Sequence, residues 1–94
     1  MVSPTNDPKR WKYVIWALLP EAGELLFITK ERGDRKDEDK FGDITSTNPD
    51  DAYSFEPSVA ISECSMLQLG LMQSRGTPPW LVGIFPAIHA KRLT

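Results

Sequence analysis

Reactive and metal-binding side chains are scarce in this chain, which has a single cysteine, Cys64, and a single histidine, His89, among its 94 residues. One cysteine excludes an internal disulfide, so apolar burial has to stabilise the fold, as is typical of a reducing compartment. Structural zinc sites need clustered cysteine and histidine ligands, which two such residues do not supply. Neither GxGxxG nor GxxxxGK followed by Ser or Thr occurs. The sequence therefore predicts no metal, no cofactor and no nucleotide chemistry of the familiar kinds.

Long apolar runs and an excess of positive charge are also missing. The most apolar stretch, residues 80–90, is broken by Gly83 and Pro86 and is shorter than the roughly 20 residues of a membrane-spanning helix. Residues 1–10 lack the apolar run of a secretory signal. A net charge of -2 gives no broad positive field for phosphate binding. We therefore expect a cytoplasmic protein that binds neither membranes nor nucleic acid.

The segments that are rich in apolar residues predict one small domain over residues 11–94, preceded by a flexible tail over residues 1–10. Aromatic, β-branched and other apolar residues dominate residues 11–19 and recur in residues 24–30, which favours two strands. Turn formers, PEAG, lie between these segments, so the two strands should form a hairpin. A further strand is expected at residues 80–84, after a Thr-Pro-Pro breaker.

The middle of the chain is predicted to be irregular. Residues 32–51 contain seven acidic and four basic residues, and their only sizeable apolar side chains are Phe41 and Ile44. This composition is typical of an exposed acidic loop. Residues 52–61 mix aromatic and β-branched residues around Pro57, so we expect a short or broken strand there.

Residues 62–75 form the segment whose secondary structure the pattern leaves open. Ser62 is a suitable N-cap, leucine, methionine and glutamine favour a helix, and Gly76 stands where a helix would end. Against this, three leucines alternate in LQLGL as they would in a strand. We interpret the segment as a short helix, and together with the hairpin and the C-terminal strand it predicts an α+β fold. The alternative is a small all-β barrel.

Two segments of the chain resemble SH3 domains. GIFPAIHA at residues 83–90 resembles the G-x-F-P-x-x-Y-V pattern that leads from the last long strands of those domains into a short turn, and ALLPEAGELLF at residues 17–27 resembles their opening strand and loop. Leu19 and Glu21 stand where the family keeps tyrosines, and His89 replaces the last tyrosine. The resemblance therefore does not imply a groove for proline-rich peptides.

Aromatic and acidic residues are the candidates for partner binding. Tryptophan is enriched at the hot spots of protein interfaces, but a small core also needs large aromatic side chains. We expect Trp16 and Trp80 in the core, whereas the tryptophan at the strand start is expected to be exposed and to share a strand face with Tyr13. Neighbouring acidic side chains suit a basic partner surface. The predicted partner-binding residues are Trp11, Tyr13, Asp37, Glu38 and Asp39.

The function that we predict is a small non-catalytic protein-binding domain, an inhibitor or adaptor that docks on a basic partner surface. This prediction follows from the missing catalytic constellations, the aromatic-rich strands and the long acidic loop. Two alternatives remain open. One is a small enzyme or enzyme subunit that uses Cys64 or His89 in a site completed by another chain. The other is a homo-oligomeric structural assembly joined through the exposed edge of the hairpin.

Overall fold

Four antiparallel strands and one helix make up the α+β fold of this protein, in a computed structural model that describes residues 11–21, 23–36, 38–76 and 79–93. The strands are Tyr13–Leu18 (β1), Leu25–Ile28 (β2), Thr45–Ser46 (β3) and Leu81–Pro86 (β4), and the helix is Pro57–Arg75 (α1). The sheet order is β3-β2-β1-β4. The predicted α+β class is confirmed and the all-β alternative is wrong. The predicted tail, residues 1–10, lies outside the described residues.

The hairpin lies in the middle of the sheet. In β1, Trp16 pairs with Phe27 of β2 on one side and with Gly83 of β4 on the other. β2 is flanked in turn by β3, through the pair Ile28 and Thr45. Among the described residues, β1 therefore has a strand on both sides, whereas β3 covers only the Phe27–Ile28 half of β2. The long outer strand is β4.

Both faces of the sheet are covered. α1 packs over one face, where Ile15, Ile28 and Phe55 form a buried cluster. The C-terminal 3-10 helix, Ala87–Leu93, packs over the other face against Val14 and Phe27. Successive side chains of a strand point to opposite faces, so β1 contributes to both clusters. The apolar side chains on both faces of β1 therefore pack against helices of the same chain.

α1 begins earlier and is longer than the sequence predicted. The short or broken strand expected over residues 52–61 is reduced to a single β-bridge between Phe55 and Tyr13, because Pro57 occupies the first turn of a helix of 19 residues. A proline suits this position, since the missing N–H would have no partner within the helix anyway. Ser62 lies inside α1, so the N-cap prediction is wrong. Gly76 ends the helix as predicted, with a φ of 77° that favours glycine.

The segment predicted as an exposed loop, residues 32–51, is built of short 3-10 turns around β3. Its two apolar residues anchor it. Ile44 is buried and its carbonyl accepts a hydrogen bond of 2.9 Å from the N–H of Thr29. Phe41 is half-buried against the clusters under α1. This segment is therefore fixed to both the sheet and the helix.

Candidate partner-binding surface

The three tryptophans lie in three different environments. Trp11 is 55% exposed, whereas Trp80 is buried beneath α1. The indole N–H of Trp80 donates a hydrogen bond of 3.0 Å to the carbonyl of Gly76, which ties the end of α1 to the start of β4. Trp16 is half-buried and packs against the cluster on the opposite face. Of the three tryptophans, only Trp11 exposes more than half of its surface to solvent.

The predicted acidic site is only partly described, because Asp37 lies outside the described residues. Glu38 is exposed. Asp39 accepts a hydrogen bond of 2.9 Å from the backbone N–H of Lys36, which holds the pKa of this carboxyl below its usual value, and the nearby ammonium group of Lys30 acts in the same direction. The carboxylate of Asp39 therefore already interacts with Lys36 and Lys30 of the same chain.

The remaining predicted residue, Tyr13, lies in a separate contact network. It is half-buried, and its backbone exchanges two hydrogen bonds of 2.8 Å with Phe55. The contacts of Asp39 lead to Lys30 and Lys36 instead. The described contacts thus do not bring the aromatic and acidic candidates into one cluster.

A different set of acidic side chains meets around Tyr53. The Tyr53 hydroxyl donates a hydrogen bond of 3.1 Å to Glu31. This bond, followed by the negative charges of Glu31, Asp34 and Glu56, raises the pKa of Tyr53 above its usual value. We call these four residues the acidic Tyr53 surface. Their sequence positions gave no signal of it, because the fold brings together two segments more than twenty residues apart.

The two candidate catalytic residues lie on opposite sides of the sheet. Cys64 is half-buried in α1 against the cluster on the helix face, and this burial raises the pKa of its thiol. His89 lies in the C-terminal 3-10 helix, beside a cleft that Pro49 and Asp50 also line. The sheet separates the two side chains, so one chain does not form a Cys-His pair.

An apolar groove of about 600 Å³ lies between α1 and β4. We call it the α1–β4 groove. None of its lining side chains is charged, although charged residues make up 26% of the chain. The lining residues are Ser65, Gln68, Leu69, Met72, Trp80, Leu81 and Val82.

Large apolar side chains in this groove face solvent. Leu69 is 58% exposed, Met72 46% and Leu81 55%. On α1, Ile61, Ser65 and Leu69 follow one another at four-residue spacing and so share one side of the helix. The sequence held a signal of this surface, since the apolar residues of α1 go all round the helix and one core face cannot bury them all.

β4 adds an unpaired strand edge to the groove. The N–H of Ala87 donates a hydrogen bond of 2.9 Å to the carbonyl of Lys12, directly opposite it in the β1–β4 register. Hydrogen-bonded and non-bonded pairs alternate along an antiparallel ladder. Phe85 and Gly83 therefore bond to β1, whereas the backbone N–H and C=O groups of Val82 and Ile84 point outward. Among the described residues, no strand pairs with this outer side of β4.

The described ranges contain no group of three or more His, Cys, Asp or Glu side chains placed to hold a metal ion. Within the same ranges, no helix is long and apolar enough to cross a membrane. No family model, no curated protein and no solved structure matches this chain.

Proposed function

We propose that this protein is a small non-catalytic protein-binding domain, an inhibitor or adaptor, whose main contact surface is the α1–β4 groove. The observation that carries the proposal is the combination of an uncharged cleft of about 600 Å³ with solvent-facing Leu69, Met72 and Leu81. Large contiguous patches of exposed apolar side chains are rare on monomeric proteins, and where they occur they commonly mark interaction sites. Burying them against a partner is favourable by roughly 25 cal/mol per Å² of apolar area.

The acidic Tyr53 surface supports a second part of the proposal, that a partner carries a basic surface. Glu31, Asp34 and Glu56 place negative charge around Tyr53, and Lys12 is the one basic residue that lines the same cleft as Glu31 and Glu56. Rim charges of this kind steer association more than they add affinity. We place the protein in the cytoplasm, where the lone thiol of Cys64 stays reduced.

Site-specific photo-crosslinking in the native host tests the proposed function. A photoreactive amino acid replaces Leu69 or Leu81 in the groove, and the matched control carries it at Ile88, another exposed apolar residue on the 3-10 helix that covers the opposite face of the sheet. Discrete protein adducts at the two groove positions and none at Ile88 are the expected result. Leu69→Asp should reduce adducts at Leu81 by at least about tenfold, since it buries a charge without a partner.

The proposal fails if the groove positions give no adduct, or if they give the same adducts as Ile88. Adducts that consist only of this chain still support a protein-binding function, because they identify a second copy as the partner.

A further inference from the structure

We infer that the partner at the α1–β4 groove is a second copy of this chain, which adds its β4 antiparallel to β4 across a two-fold axis. The inference rests on the proposed function and names its partner. Its starting point is the outward N–H and C=O groups of Val82 and Ile84, which form a template for another strand.

Over most of its length, β4 lacks the features that keep the edge strands of monomers apart. Such edges are commonly short, charged or interrupted by proline or a bulge. β3, the other edge strand, is only two residues long and so offers few backbone groups for another chain to pair with. β4 has six residues, LVGIFP, with no charged side chain. Its last residue, Pro86, faces outward in the same alternation as Val82 and Ile84, so it blocks pairing only at that end of the strand. An unguarded edge beside exposed Leu81 is expected in a surface that is covered in solution.

The charge pattern of this surface suits a symmetric pair. A two-fold axis brings each side chain close to its own copy or to near neighbours, so charged side chains at the seam would meet like charges and weaken the pair. Neither β4 nor the lining of the groove contains a charged residue. Two copies therefore meet there without electrostatic repulsion.

One register uses the free backbone groups of both copies. With the axis at Gly83, Val82 lies opposite Ile84 of the second copy, and each pair exchanges both of its N–H···O=C bonds. Leu81 then lies opposite Phe85 of the second copy on the same face of the joined sheet. The α1 helices of the two copies lie on one face of that sheet, with Leu69 and Met72 near the seam.

Sedimentation velocity of the purified full chain tests this inference. As the concentration rises to about 1 mM, where a dimer with a Kd of that size is half formed, the weight-average mass of the wild type should increase from the monomer mass of 10.6 kDa toward twice that value. Val82→Pro removes an outward N–H that β1 does not use, a change that edge strands tolerate. It should weaken dimerisation by about 5- to 150-fold, because symmetry removes the hydrogen bond twice. Leu69→Asp should act in the same direction, and Ile88→Asp should leave the dimer intact.

Amide hydrogen exchange of the wild type provides a readout that does not depend on a variant folding. The amides of Val82 and Ile84 should become protected as concentration rises, while the Gly83 amide, which faces β1, stays protected throughout. A monomer at all concentrations overturns the self-pairing, and so does a dimer that leaves Val82 and Ile84 unprotected. If a foreign protein crosslinks at Leu69 while the chain alone stays monomeric, self-pairing is wrong and the proposed protein-binding function stands.

Discussion

Gly83 and Trp16 illustrate how a single residue sets the packing of the sheet. The two residues are directly paired across β1 and β4. A Cβ atom built on Gly83 would lie 2.6 Å from the Cζ2 atom of Trp16, which is closer than van der Waals contact allows. The indole ring therefore occupies the space that any other residue at position 83 would need.

Gly83→Ala is expected to lower the free energy of unfolding by about 1–3 kcal/mol, because the methyl group overpacks a site that the indole already fills. Urea denaturation monitored by far-UV circular dichroism measures the change. Gly70→Ala is the matched control, since position 70 in α1 has open space around it. There the same substitution should stabilise the protein by about 0.5–1 kcal/mol through helix propensity. Equal stabilities of the two variants would contradict this packing.

At the scale of the elements, the acidic segment between β2 and α1 gains its order from local side-chain to backbone contacts. Asp39 binds the backbone N–H of Lys36, and Asp43 binds that of Lys40. The Asn48 side chain likewise accepts a hydrogen bond from the N–H of Asp50. Short polar side chains commonly cap turns in this way. The acidic composition that predicted a loop thus also supplies the acceptors that fold it into 3-10 turns.

The Asp39 cap should make the structure of this segment depend on pH. Because the folded pKa of Asp39 lies below its usual value of 3.8, the stabilisation is present above that value and is lost as pH falls through the folded pKa. The amide proton shift of Lys36 in NMR spectra should therefore titrate with a midpoint below 3.8. Asp39→Asn should abolish this titration, whereas Glu38→Gln should leave it unchanged. A Lys36 midpoint at or above 3.8 would show that the cap is not formed.

At the scale of the whole molecule, one ion pair joins the acidic segment to the helix. The guanidinium group of Arg35 lies 3.6 Å from the carboxylate of Glu63 in α1. The Glu63 side chain is mostly buried and that of Arg35 half-buried. Arg35 also donates a hydrogen bond of 3.3 Å to the carbonyl of Lys30. This arrangement connects the loop, the end of β2 and α1 at a single point.

Glu63→Gln is expected to cost about 1–3 kcal/mol of unfolding free energy, since it leaves the Arg35 charge without its counterion in a partly dry site. Chemical denaturation measures the loss, and Glu24→Gln, at an exposed position, should change stability by less than about 0.5 kcal/mol. Replacing Arg35 and Glu63 together by methionine should destabilise less than Glu63→Gln alone. A double variant that is the least stable of the set would refute the role of the charge pair.

Local sequence determined much of the secondary structure and little of the candidate site. Two segments rich in aromatic, β-branched and other apolar residues on either side of a turn specify the β1–β2 hairpin, and Gly76 ends α1 because few other residues adopt its backbone conformation. Pro57 misled the prediction, because a proline that interrupts a strand also suits the first turn of a helix. Which of these two roles Pro57 takes depends on the packing of α1 against the sheet.

The sequence by itself favoured the α+β class over an all-β barrel, and it determined the scarcity of groups for metal or nucleophilic chemistry and the excess of apolar residues around α1. Tertiary structure alone decided which of these residues stay exposed, because that depends on which strand lies at the sheet edge. β4, which is last in the chain, pairs with β1 and leaves Val82 and Ile84 facing outward beside Leu69. Strand order follows from long-range pairing, and local propensity carries no information about it.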